Sequence, residues 1–182
     1  MKELSLNILD ITENSVKAGA SLTSILLTET DETLEIKIVD NGCGMSEEVV
    51  ARVTDPFYTT RTTRDVGMGI PLFKLCAEQT GGFFSITSKE KALYPEECGT
   101  TVTALFYKNH IDFTPLGDIV ATITTLIQGH PDTDFLFRHS VGDREVTLDT
   151  RELREVLGDV PLSEYDVIKW IEAYLNEQYL NL

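Results

Sequence analysis

The chain is poor in cysteine: Cys43, Cys76 and Cys98 are odd in number and their spacings fit no metal-ligand pattern. They offer no disulfide framework, so reduced thiols in a cytoplasmic protein are expected. Basic residues are also scarce, with 15 Lys and Arg against 30 Asp and Glu and a formal charge of -15. That imbalance repels polyphosphate backbones and anionic lipid surfaces, so neither nucleic acid nor membrane is an expected partner, although a local basic pocket can still hold one small anion. No apolar run is long enough to span a bilayer, and the opening MKELSLNILD lacks the unbroken apolar core of a secretion signal. The three histidines, His110, His130 and His139, all fall in the second half of the chain. Isolated histidines of this kind are more often packing or surface groups than metal ligands. No repeat or low-complexity tract interrupts the chain.

What is present suits a globular fold. A chain of 182 residues, 42% hydrophobic and 25% charged, can bury a core without metal or disulfides. Leu4, Ile8, Ile11 and Ser15 recur at helical spacing, and Gly19 is a natural stop. SLTSILLTET and TLEIKIVD alternate as strands around a turn at TDE, and SEEVVARV reads as a short helix capped by Ser46. TDPFYTTRTTRDVGMG has no apolar period and reads as a loop. IPLFKLCAEQT returns to helical spacing before Gly81-Gly82, and FFSITSK and GTTVTALFY follow as strands. Composition shifts near Asn109. A helix is expected from Thr114 as N-cap with Pro115 at its first position, then a hairpin about Val141-Gly142-Asp143, then two helices. In the last of these, Val167, Trp170, Ile171, Tyr174 and Leu175 form an apolar stripe. The order predicts an α+β fold, a two-layer α/β sandwich with a mixed sheet over residues 1–108, followed by a small C-terminal α/β appendage over residues 109–182.

Four stretches carry chemistry. In LDITENSVKAGA, helical spacing puts Asn7, Asp10, Asn14 and Lys17 on one face, with Glu13 at its border. Taken alone, that face is also what a solvated helix with a Glu13–Lys17 ion pair would show. DNGCGM places Asp40 at a strand end beside Gly42 and Gly44, where the missing side chains allow close approach to the backbone. A carboxylate there can accept a hydrogen bond from an amino group on a flat ligand. In DPFYTTRTTRDVGMGIPL, Gly67 and Gly69 precede a helix whose free N–H groups face the loop, and Arg61 and Arg64 stand nearby, so the segment suits phosphate. It fits neither the G-x-x-x-x-G-K-[ST] loop nor G-x-G-x-x-G. The fourth stretch, CGTTVTALF, carries Thr100 into a strand.

Together and in this order, the four stretches resemble the Bergerat-fold (GHKL) ATPases, the family of gyrase, heat-shock chaperones, mismatch-repair ATPases and histidine kinases, over about residues 3 to 108. ENSVKAGAS is similar to the N box in its mismatch-repair form, whereas DPFYTTR, GMGIPL and EQTGG are similar to the sensor histidine kinases. The resemblance implies ATP with Mg²⁺ as ligands. Asp40 would read the adenine amino group, with Thr100 in the same water network and the base lying against Gly42 and Gly44. Asn14 would coordinate Mg²⁺, an ion that prefers hard oxygen ligands and keeps several waters, and Lys17 would neutralise phosphate charge. Phe57 marks the kinase F box. The segment from Phe57 to Gly67 would be a lid closing over the triphosphate, with Thr60 and Arg61 as phosphate contacts and Gly67, Met68 and Gly69 at its end.

One departure bears on catalysis. The hydrolysing branches carry Glu four residues before the magnesium asparagine, and here Asp10 is shorter by one methylene, about 1.5 Å of reach. Asp10 is the favoured base and Glu13 the other candidate, with slow turnover expected. No histidine precedes His110, so autophosphorylation in the usual sensor-kinase arrangement is not expected. The expectation is a stand-alone Mg-ATP-binding signalling protein with slow ATPase activity or protein-kinase activity in trans, whose partners are ATP or ADP and a partner or phosphoacceptor protein. The alternative is a non-catalytic, nucleotide-dependent module that recruits a partner.

Overall fold

A computed structural model of the chain describes residues 3–55, 57 and 68–182. The described residues form, in chain order, α1 (Leu4–Lys17), β1 (Leu22–Glu29), β2 (Thr33–Asp40), α2 (Glu47–Val53), α3 (Gly69–Gln79), β3 (Phe83–Lys89) and β4 (Gly99–Tyr107). They continue as α4 (Ile119–Gly129), β5 (Asp134–Val141), β6 (Arg144–Asp149), α5 (Thr150–Leu157) and α6 (Tyr165–Leu180). The strands make one mixed sheet in the order β3-β4-β2-β1-β5-β6. Only the β1–β5 pair is parallel among these neighbours, and it joins the second half of the chain to the first, with Ile25 opposite Phe137.

Period-two alternation drives the layering. Ile25 and Leu27, Leu34, Ile36 and Ile38, Val102, Ala104 and Phe106, and Phe135 and Phe137 are all buried beneath the helices. The helix α1 lies between α3 and α4 above β1 and β2, and buries Leu4, Ile8 and Ile11 in the common core. It ends where Gly19 takes φ +76, a conformation that costs glycine little. Phe73 of α3 packs against Phe106 with ring centroids 5.5 Å apart. Truncating such a buried aromatic typically costs about 3–5 kcal/mol. No described helix is long and apolar enough to cross a membrane.

One local expectation fails for an identifiable reason. The helix expected from Thr114 begins instead at Ile119, because Asp118 is the N-cap and accepts from the Ala121 N–H at 2.9 Å. The preceding carbonyls are committed elsewhere, since Pro115 and Leu116 accept from the Leu4 and Ser5 N–H groups at 2.9 and 2.8 Å, and Gly117 reverses the chain at φ +79. In α6, Val167, Ile171 and Leu175 are buried, whereas Trp170 remains 50% exposed and stacks on Tyr174 at 5.0 Å.

Candidate functional site

The sheet delivers Asp40 and Thr100 to the same place, paired across β2 and β4 at the ends of their strands. Asp40 is held from three sides. Its Oδ2 accepts from the Ser15 hydroxyl of α1 at 2.7 Å, and its Oδ1 accepts from the Gly42 N–H at 2.9 Å and the Thr100 N–H at 3.3 Å. Ser15 takes a position on the buried stripe of α1 that an apolar residue would otherwise fill, which lets the helix reach the carboxylate. The Thr100 hydroxyl bonds the Ser88 hydroxyl at 2.8 Å, and Ser88 Oγ also accepts from the Met45 N–H at 2.8 Å. Above this polar floor lies a cavity of about 390 Å³ with apolar walls that include Ile11, Met45, Val53, Ile70 and Val102. An apolar slot ending in a carboxylate suits a flat, ring-shaped ligand with an N–H to give.

The two glycines of DNGCGM do different things. A Cβ on Gly42 would lie 2.9 Å from the Ala18 Cβ and 3.0 Å from the Ala18 carbonyl oxygen, so Gly42 lets the loop press against the end of α1. There the Cys43 N–H donates to the same Ala18 carbonyl at 2.9 Å. Gly44, at φ +66, has no room for a Cβ beside the Lys89 carbonyl, and it also lines the cavity.

Asn14 and Lys17 line this cavity and also a second one of about 270 Å³, which is bordered by Asp10 and Glu13 and by Met68, Gly69 and Leu72 at the start of α3. The second cavity mixes charged and amide side chains with apolar ones, whereas the walls of the first are mainly apolar. Asp10 stands close to Gly69, where an added Cβ would be 3.2 Å from the Asp10 Cβ. Partial burial, reinforced by the nearby Glu13 charge, pushes the Asp10 carboxyl above its ordinary value, and Lys17 opposes the shift. Asn14 makes no side-chain hydrogen bond and Lys17 no ion pair among the described residues. Asn7, expected on the same face, is fully buried, and its amide finds no partner among the described residues.

Glu13 does not pair with Lys17. Its Oε1 meets His130 Nε2 at 2.7 Å, so a residue of the second half of the chain stands beside the second cavity. No local pattern announces this contact, because the two residues are 117 positions apart. Phe57 is 91% exposed and lines neither cavity, its N–H donating to Asp55 Oδ1 at 2.9 Å. Thr60, Arg61 and Gly67 lie outside the described residues.

A strand-end aspartate below an apolar slot thus stands beside a second cavity, with Asn14 and Lys17 of one helix lining both. Residues 2–110 match the family described as histidine kinase-, DNA gyrase B-, and HSP90-like ATPase, and the chain belongs to that family. It is 32% identical over 103 residues to sporulation kinase D of Bacillus subtilis (strain 168), covering 57% of this chain and 19% of that protein. It is 29% identical over 101 residues to the sensor histidine kinase YvrG of the same organism, covering 52% of this chain and 16% of that protein. The chain thus spans less than a fifth of the length of either kinase. Its fold is similar to the Aquifex aeolicus MutL ATPase domain complexed with ADP, with TM-score 0.58 and 15% identity over 86% of this chain and 69% of that one. It is also similar to the N-terminal domain of a DNA repair protein, with TM-score 0.54 and 16% identity over 82% of this chain and 53% of that one.

Proposed function

We propose that the protein binds Mg-ATP in this double cavity and turns it over slowly, by hydrolysis or by passing the γ-phosphoryl group to a partner protein, as a signalling component. The observation that carries the reading is that the two cavities share Asn14 and Lys17 in their walls. In this reading the apolar slot floored by Asp40 and Thr100 takes the base, and the neighbouring pocket with its charged side chains takes the phosphates. In this reading Asp40 accepts from the adenine amino group, Gly44 borders the ring, and Lys17 balances phosphate charge. Gly69 starts α3 without a side chain in the phosphate's way, next to the lid segment that holds Thr60, Arg61 and Gly67.

The donor set fits magnesium. No group of three or more His, Cys, Asp or Glu suited to a metal occurs among the described residues, so a protein cage is not what they offer. Asn14 instead presents one uncommitted amide oxygen, which suits an ion held mainly by phosphate and water. When bound, Mg²⁺ would offset phosphate charge. Asp10 and Glu13 both border the same pocket, so a carboxylate base is at hand.

A second reading, nucleotide-dependent recruitment of a partner without turnover, draws support from the half-exposed Trp170–Tyr174 stack on α6. Calorimetric titration with Mg-ATP, Mg-ADP and a non-hydrolysable analogue, followed by phosphate-release assays on wild type and Asp10→Asn, separates the two. Binding with turnover supports the first reading, and binding without turnover the second. No binding of any nucleotide would end both.

A further inference from the structure

We infer that His130, which lies beyond the family match, is a positioning residue of the nucleotide site: it fixes Glu13 as the base for ATP hydrolysis. The inference rests on the Mg-ATP reading above and adds the second half of the chain to the catalytic arrangement. With its proton on Nε2, the His130 ring donates to Glu13 Oε1 at 2.7 Å. Oε2 has no hydrogen bond among the described residues, and Glu13 lines the polar cavity. One carboxylate oxygen is therefore anchored, and the other has no protein partner among the described residues.

The anchor is itself held. His130 caps the C-terminal end of α4, its N–H donating to the Leu126 carbonyl at 3.0 Å. The turn that follows is gripped by Arg154 of α5, whose guanidinium donates to the Pro131 carbonyl at 2.6 Å, the Thr133 carbonyl at 3.3 Å and Asp134 Oδ1 at 2.7 Å. The Asp134 N–H then donates to the Ser21 carbonyl at 2.9 Å, where β5 starts to pair with β1. A base needs this kind of support, because a carboxylate held in place pays no ordering cost at the moment of reaction. Asp10 has none: its carboxylate makes no hydrogen bond among the described residues. Among the described residues, the charged groups around Glu13 are Asp10 and Lys17 on α1 and His130 from the end of α4, while Met68, Gly69 and Leu72 bring no charge.

In the step itself, the oxygen of a water bonds to the γ-phosphorus. The bond from that phosphorus to the β-bridging oxygen breaks, its electron pair staying with ADP. One water proton passes to Glu13 Oε2 and is later released to solvent, and the other stays on the phosphate.

The test compares the full chain with its Glu13→Gln, His130→Ala, His130→Gln and Asp10→Asn variants by three measurements: calorimetric Mg-ATP affinity, phosphate release, and the imidazole N–H resonance of His130 by NMR. Loss of the anchor should lower kcat about tenfold or more in His130→Ala, against the roughly 10²–10⁴ that a general base contributes. The dissociation constant should stay within about twofold. His130→Gln, whose amide can still donate to Glu13, should recover most of the rate, and Glu13→Gln should lose at least as much as His130→Ala. The Nε2–H resonance should lie downfield in wild type and move upfield in Glu13→Gln, a readout that needs no variant at His130 to fold. An unchanged kcat in His130→Ala, an unshifted resonance, or hydrolysis lost with Asp10→Asn but kept with Glu13→Gln would overturn the inference. Wild type that binds Mg-ATP but releases no phosphate would overturn it too, leaving the binding reading intact, whereas wild type that binds no nucleotide would overturn the binding reading itself.

Discussion

His139 and His130 each join a glutamate of the first half of the chain to the second half, in opposite surroundings. His139 is 3% exposed and uses both ring nitrogens, Nε2 against Glu29 Oε2 at 3.0 Å and Nδ1 against the Tyr179 hydroxyl at 2.8 Å. Because the Glu29 carboxylate can only accept, the neutral ring carries its proton on Nε2, and Nδ1 is left to accept from the tyrosine O–H. Glu29 Oε1 accepts from Lys108 Nζ at 2.6 Å, and Lys108 also donates to the Thr30 carbonyl at 2.8 Å. Every strong partner in this network is occupied. His130 uses one nitrogen, on a glutamate whose other oxygen is uncommitted beside a cavity. The same pair of residue types therefore cements two halves of a sheet in one place and, among the described residues, leaves one carboxylate oxygen without a protein partner in the other. What separates them is the space next to the carboxylate, not the bond.

The largest effect should come from breaking the cemented pair. His139→Ala leaves Glu29 and Tyr179 without a shared partner in a buried setting and should destabilise the fold by about 2–3 kcal/mol, read from the denaturant midpoint. A midpoint like that of wild type would mean that the network is not structural. Next comes Asp40→Asn, which keeps an oxygen to accept from Gly42 and Thr100 but presents an N–H where the adenine amino group would donate. Mg-ATP affinity should fall by about 2 kcal/mol, roughly 30-fold, with little change in stability.

A smaller effect should appear with pH. Burial holds the His139 imidazole below its ordinary value, with the Glu29 bond and charge opposing the shift. Folded protein therefore takes up this proton less readily than unfolded chain. The stabilisation is fully present above the unfolded histidine value of about 6.5 and is lost as pH falls towards the lower folded value, by at most about 1.4 kcal/mol per pH unit. Glu29 acts in the same direction at lower pH. Desolvation raises its carboxyl, but the Lys108 and His139 bonds outweigh it and hold the carboxyl below its ordinary value. Urea midpoints taken at pH 8, 6 and 5 should fall in that order for wild type, and both intervals should flatten in His139→Ala, the second more than the first. The smallest effect completes the contrast. His130→Ala should lower stability by only about 0.5 kcal/mol, because the pair is partly open to solvent. A loss as large as that of His139→Ala would make His130 a second cement.

Much of this was legible in the chain. Alternating apolar residues marked β1 to β4, and helical spacing put Asp10, Asn14 and Lys17 on the face that borders the polar cavity. Both signals are local: side-chain direction repeats every two or every 3.6 residues whatever lies beyond. The start of α4 was misread because Thr114-Pro115 is a good local start signal, and only the N-terminus of α1 reveals that the Pro115 and Leu116 carbonyls are already taken. Gly42 looked like a place for ligand approach, yet the atoms that exclude a side chain there belong to Ala18.

The sequence by itself determined the order of elements, the two-layer α+β architecture and the family, because periodicity and short motifs carry that information within a few tens of residues. The fold alone decided that the second half extends the same sheet through the parallel β1–β5 pair, that Glu13 turns to His130 and not to Lys17, and that Trp170 stays half exposed. Those outcomes depend on contacts between residues more than a hundred positions apart or on which face of a helix is covered, and neither quantity exists until the chain has closed on itself.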